Sequence, residues 1–159
     1  MSAGTSIAFH ALDPAIVAAL RAGGPDAYGA PAERAISDGS GNPCRLCLSD
    51  IPRGAGMLIV AHRPFPAPQP YAETGPIFLC AECAPRQPSA APPPVVATRK
   101  EFLLKGYTEE YRIRYGTGRI TPVPQIRAYC QELLARGDVA FVDIRSATNN
   151  CFICRVRRA

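Results

Sequence analysis

Apolar and polar positions change places along this chain in short blocks that predict strands over most of its length, with two windows of helical period among them. Residues 6–12 carry Ile7, Phe9 and Leu12 and predict an opening strand. Asp13 before Pro14 predicts a helix start: a side-chain oxygen that caps unsatisfied N–H groups, then a ring already held at helical φ. Ile16, Val17 and Leu20 supply that helix with its buried stripe, and Gly23-Gly24 ends it. Residues 23–33 predict loop and 35–37 a short strand. Residues 56–62, with Met57, Leu58, Ile59 and Val60 in succession, have the continuous apolar pattern of a buried strand. Pro64, Pro66, Pro68 and Pro70 then predict an extended loop with few backbone donors, and residues 76–80 a further apolar strand.

Residues 85–94 are proline-rich. The strands predicted on either side look like parts of one sheet, so the excursion is expected to be a surface loop within a single domain, 1–159. Residues 99–107 and 110–115 predict strands; in the second, Tyr111, Ile113 and Tyr115 alternate with Arg112 and Arg114. Gly116-Thr117-Gly118 turns the chain back. Residues 124–136 predict a helix with the stripe Ile126, Tyr129, Cys130, Leu133 and Leu134, closed by Gly137. Residues 139–145 and 151–157 predict a hairpin. Two helices and about seven strands amount to an α+β fold with a mainly antiparallel sheet.

Composition narrows the class. With 47% hydrophobic and 19% charged residues in 159, the chain is globular rather than disordered. No stretch approaches the roughly 20 apolar residues of a membrane span, and no charged start followed by an apolar run predicts export. A bacterial cytoplasmic protein with no membrane partner is expected. An odd number of cysteines, 7, argues against a disulfide framework. Charge is uneven: residues 1–98 carry 6 Lys/Arg and 7 Asp/Glu, whereas residues 99–159 carry 12 and 6. A half with net +6 could face a polyanion. Sixteen of the 18 basic residues are Arg, however, and Ala, Pro and Gly are abundant too, the composition a GC-rich genome produces unaided. Nucleic acid is therefore possible but not the favoured partner.

The most specific chemistry lies in two Cys-x-x-Cys pairs, Cys44/Cys47 and Cys80/Cys83, separated by 32 residues. Two thiols three positions apart aim at one ion from a tight turn, and two such pairs make an all-sulfur tetrahedral zinc site. Asn42-Pro43 provides a turn-forming entry to the first pair. Leu48 stands where a knuckle often has glycine, and the long gap requires whole strands between the pairs. Cys151 and Cys154 form a third pair, but in a strand positions i and i+3 face opposite ways and cannot share an ion. Cys154 and Cys130 are expected in cores, with Cys151 more accessible. His62, at the end of a strand between the pairs, is an alternative ligand.

Four stretches together resemble one family: Pro43-Cys44-Arg45-Leu46-Cys47-Leu48, the run Pro70-Tyr71-Ala72-Glu73-Thr74-Gly75-Pro76-Ile77-Phe78, the segment from Arg99 to Leu104-Lys105-Gly106-Tyr107, and the closing Arg145, Asn150-Cys151-Phe152, Val156-Arg157. In order and spacing they resemble the uncharacterised bacterial proteins grouped as domain-of-unknown-function family 1203. The resemblance spans nearly the whole chain and implies a small stand-alone cytosolic domain of unassigned activity. It also implies that the position of Cys80 tends to hold His elsewhere in the family, a swap that favours a metal ligand.

Three functional classes follow. In the first, Zn2+ held by Cys44, Cys47, Cys80 and Cys83 is structural and supports a binding or interaction module. In the second, an open zinc position or a Cys44 nucleophile serves a hydrolase-like enzyme, with Arg45, Tyr71 and Glu73 as candidate catalytic residues in one pocket; an Arg45–Glu73 ion pair that merely orders two loops is the plainer alternative. The third, a dithiol redox sensor, ranks last, because no predicted helix follows Cys47 or Cys83 to activate a thiol.

Overall fold

The structure, a computed structural model, describes residues 3–159. Its elements in chain order are β1 (Ile7–His10), α1 (Pro14–Arg21), β2 (Glu33–Ile36), β3 (Gly56–His62), β4 (Gly75–Cys80), α2 (Pro94–Ala97), β5 (Glu101–Tyr107), β6 (Arg119–Pro122), a 3-10 turn (Val123–Gln125), α3 (Ile126–Leu134), β7 (Phe141–Ser146) and β8 (Phe152–Arg158). All strand pairs within the two sheets are antiparallel, which makes the fold α+β as expected. The strands form two sheets, however, one ordered β1-β8-β7-β5-β6 and the other β2-β3-β4. They belong to two compact units, Ala11–Gln87 and a second built from Pro88–Ala159 with the described residues before Ala11. The expectation that β4 and β5 share a sheet is thus corrected. Prolines between them lack the N–H groups a ladder needs, so the segment ends one sheet instead of continuing it.

In the unit Ala11–Gln87, Asp13 caps α1 by accepting from the Ala15 N–H at 2.8 Å, and the helix closes at Gly23 with φ 93°. Val17 and Leu20 are buried, but Ile16 is 42% exposed. An eight-residue helix touches its sheet through a narrow stripe, and Ile16 falls outside it. The core gathers Val17, Leu20, Leu46, Ile51, Met57, Leu58, Val60, Ile77 and Leu79 around Cys44 and Cys80. The β3–β4 hairpin runs in continuous register from His62 opposite Gly75 to Met57 opposite Cys80.

In the other unit, α3 buries the stripe read from its sequence, Ile126, Tyr129, Cys130, Leu133 and Leu134. It packs on β1, β7 and β8. Two local expectations fail. Residues 110–115 are not a strand: Tyr111 takes φ 61°, and the Thr108 N–H donates to the Arg112 carbonyl at 2.9 Å, closing a tight turn after β5. The free edge of β5 is taken instead by β6. The single turn α2, absent from the sequence reading, starts where Pro93 and Pro94 fix φ and buries Val95 and Val96.

Much of the positive charge of this half is engaged within the unit. Arg114 and Arg136 bind Asp138, Arg119 lies 3.5 Å over the Tyr129 ring, and Arg158 donates to the Leu134 and Val139 carbonyls. Arg155 grips Asp143 through two bonds of 2.7 and 3.0 Å while lying 3.9 Å over Phe141. No helix among the described residues is long and apolar enough to cross a membrane.

Candidate metal centre

The first cysteine pair sits on a tight loop beside β4. Leu48 donates to the Cys44 carbonyl at 3.0 Å, Cys44 to the Ser49 carbonyl at 3.0 Å, and Ile51 to the Asn42 carbonyl at 2.8 Å. This knuckle is stitched to β4 by the Arg45 N–H, 3.1 Å from the Phe78 carbonyl. Cys80 is the last residue of β4, so the same strand that anchors the first pair delivers the second. The 32-residue gap is filled by the β3–β4 hairpin and its loop, which return the chain to its starting point. Leu48 does what glycine usually does in such a turn: it adopts φ 53° and is fully buried. A side chain in that conformation costs roughly 1 kcal/mol, which its burial offsets.

All four sulfurs lie within 4.8 Å of one another. Cys44 Sγ is 3.8 Å from Cys83 Sγ, and Cys47 Sγ is 3.9 Å from Cys80 Sγ. A tetrahedron with metal–sulfur bonds of about 2.3 Å has edges of about 3.8 Å. These two separations therefore match opposite edges of a tetrathiolate site, and they are far beyond the roughly 2.05 Å of a disulfide. Cys44 and Cys80 are buried; Cys47 and Cys83 are half-buried. The four-cysteine cluster can hold a metal ion.

Its electrostatics point the same way. The Cys47 thiol, together with backbone N–H groups of Cys47, Cys80 and Leu46, stabilises a thiolate at Cys44 and lowers it to about 4 against the opposing effect of burial. Leu46 N and Cys80 N lie 3.4 and 3.2 Å from that sulfur. Cys47 is pushed upward, first by donating to Cys44 and then by burial. Cys80 is pushed up to about 12 by burial and by the charge on Cys44. One negative charge thus opposes the next, and a cation among the sulfurs is what lets all four ionise together.

Two arginines brace the cluster, and neither was singled out from the sequence. Arg21, in the last turn of α1, donates Nε and Nη2 to the Cys80 carbonyl at 3.3 and 3.0 Å, Nη1 to the Cys83 carbonyl at 3.5 Å, and Nη2 to Cys83 Sγ at 3.3 Å. Arg86 donates Nε to the Cys47 carbonyl at 2.6 Å. Arg45, a candidate catalytic residue, donates its Nη1 to the Pro43 carbonyl at 2.7 Å, and its guanidinium lies 5.9 Å over Phe78.

His62 pairs with Gly75, five residues along β4 from Cys80, which is roughly 16 Å of strand; it is no part of the sulfur cluster. Tyr71 and Glu73 sit in the loop that leaves from that same far end of the hairpin. There the Tyr71 N–H donates to Gln69 Oε1 at 2.8 Å and the Glu73 N–H to the Tyr71 carbonyl at 3.0 Å. In the other unit Cys130 and Cys154 are fully buried, Cys130 pushed up to about 12 by burial, while Cys151 is half-buried just before β8.

A family profile described as "Protein of unknown function (DUF1203)" matches residues 41–158, which include all four clustered cysteines and Arg86 but not Arg21. The chain belongs to that family. No curated protein and no solved structure matches it.

Proposed function

We propose that this is a zinc protein whose metal is structural, held in a closed site by Cys44, Cys47, Cys80 and Cys83, and that the fold so held serves as a binding or interaction module of the cytoplasm. The convergence of four sulfurs at tetrahedral separations carries the reading. An all-thiolate set favours zinc among the abundant divalent ions, since oxygen-preferring cations such as Mg2+ and Ca2+ choose carboxylates and carbonyls. Four protein ligands complete the tetrahedron, whereas metal-assisted hydrolysis needs a position left for water. A reducing compartment keeps these thiols available to the metal.

The test is reconstitution with Co2+, whose d–d absorption reports geometry and whose sulfur-to-metal charge transfer reports thiolate count. A strong tetrahedral, four-thiolate spectrum, displaced stoichiometrically by Zn2+, is expected. A weak octahedral spectrum, or a site that keeps an exchangeable water, would overturn the closed-site reading.

A further inference from the structure

The two knuckles are built unequally, and the difference falls on Arg21. In the first, the Leu48 N–H closes the turn on the Cys44 carbonyl, and Ser49, two residues after Cys47, has a backbone N–H as well. The corresponding positions after the second pair are Ala84 and Pro85. Proline has no N–H, so position 85, unlike Ser49, can offer no backbone donor to the sulfur two residues before it. The Cys80 carbonyl and the Cys83 sulfur are both served by one side chain, 59 and 62 residues away. Arg21 Nη2 lies 3.0 Å from the Cys80 carbonyl, the equivalent of Cys44 O, and 3.3 Å from Cys83 Sγ, the equivalent of Cys47 Sγ.

We infer that Arg21 is a positioning residue of the metal centre, holding the second knuckle from α1 where Pro85 offers no backbone N–H, and shielding the Cys83 sulfur. This rests on the zinc reading above. Four thiolates around a divalent ion leave a net charge of about −2, and a guanidinium on one sulfur offsets part of it in a partly desolvated site. Its planar fork explains why the residue is Arg: Nε and Nη2 reach the carbonyl while Nη2 also reaches the sulfur. An N–H···S bond also draws charge from the thiolate and lowers its nucleophilicity. Cys83 is half-buried and so open to attack, which gives the shield something to do.

The zinc-loaded full chain is compared with Arg21→Gln, Arg21→Lys and, as control, Arg86→Gln, which removes a guanidinium bound to a knuckle carbonyl, the Cys47 C=O, instead of one bound to a sulfur. Three readouts are taken: zinc competition with a chromophoric chelator, the charge-transfer band after Co2+ exchange, and iodoacetamide labelling of each cysteine followed by mass spectrometry. For Arg21→Gln the expected outcome is a loss of about 10–100-fold in metal affinity, a shifted charge-transfer band, and several-fold faster labelling of Cys83 with Cys47 unchanged. Arg21→Lys recovers part of each effect, and Arg86→Gln leaves the band and Cys83 labelling as in the parent protein.

Parental affinity, band and Cys83 labelling in Arg21→Gln would overturn the inference. So would equal acceleration at all four cysteines in both Gln variants, since that is a general loosening. If Arg21→Gln does not fold, Arg21→Lys carries the test, with selective labelling of Cys83 expected and uniform labelling contradicting it. A parent protein that takes up no Co2+ defeats the zinc reading itself, a result distinct from any difference between variants.

Discussion

Stripping the metal should cost the unit Ala11–Gln87 its fold. The perturbation is excess EDTA at neutral pH, followed by removal of the chelate. The unit spans 77 residues, and its core beyond the cysteines is nine apolar side chains, from Val17 to Leu79. A core on that scale rarely supplies more than about 3–5 kcal/mol. A structural tetrathiolate zinc contributes an apparent 10–16 kcal/mol, roughly. The metal term is thus at least about twice the rest, and without it Cys44 and Cys80 become a pair of polarisable thiols in the centre of the core. Hydrogen-exchange mass spectrometry reads the outcome directly. Peptides covering β3 and β4 are expected to lose nearly all protection on chelation and to regain it with one equivalent of Zn2+. Undiminished protection in β3 and β4, with metal removal verified by elemental analysis, would refute the reasoning.

Three further outcomes follow from single side chains. Leu48→Gly relieves a left-handed backbone worth about 1 kcal/mol but removes a buried leucine worth about 2–5 kcal/mol; a net loss of about 1–4 kcal/mol is expected in urea unfolding, and a gain would contradict the packing role given to Leu48. Asp26 accepts the N–H groups of Ala61, Ala30 and Tyr28, which lower its carboxyl below 3.8. Because the folded-state value is depressed, its contribution is present above 3.8 and is lost as pH falls through the lower folded value. Asp26→Asn should therefore flatten the acid limb of stability against pH, and an unchanged limb would contradict this. Asp143 is fully buried against Arg155, so Asp143→Asn, which leaves the guanidinium without its charge partner, should cost about 3–5 kcal/mol in thermal or denaturant unfolding. A change within error of zero would show that the ion pair does not matter to the sheet.

The parts of the fold that announce themselves in sequence are those whose side-chain period is set by one buried face. The stripe of α3, the apolar run of β3 and the Asp13-Pro14 start of α1 are of this kind. Tyr111, Ile113 and Tyr115 show the limit of alternation: the same period arises in a turn when an αL residue at position 111 breaks the strand. The division into two sheets was hidden for a related reason, because β4 and β5 look alike in composition and only hydrogen-bond partners assign them. In the candidate site, Cys-x-x-Cys spacing was enough to find the sulfurs, since each knuckle is local. Arg21 was not found because its contacts lie 59 and 62 residues away. The one local signal was Pro85, a missing donor at the place where the first knuckle has Ser49. His62 required the register of the hairpin, which puts it at the wrong end.

The most direct test of the central claim is elemental analysis and thiol titration of the native protein, purified without added metal. One zinc per chain is predicted, with Cys151 the fast-reacting thiol and Cys44, Cys47, Cys80 and Cys83 reacting far more slowly until the metal is chelated. Protein that carries no zinc, with those four thiols titrating freely from the start, would contradict it.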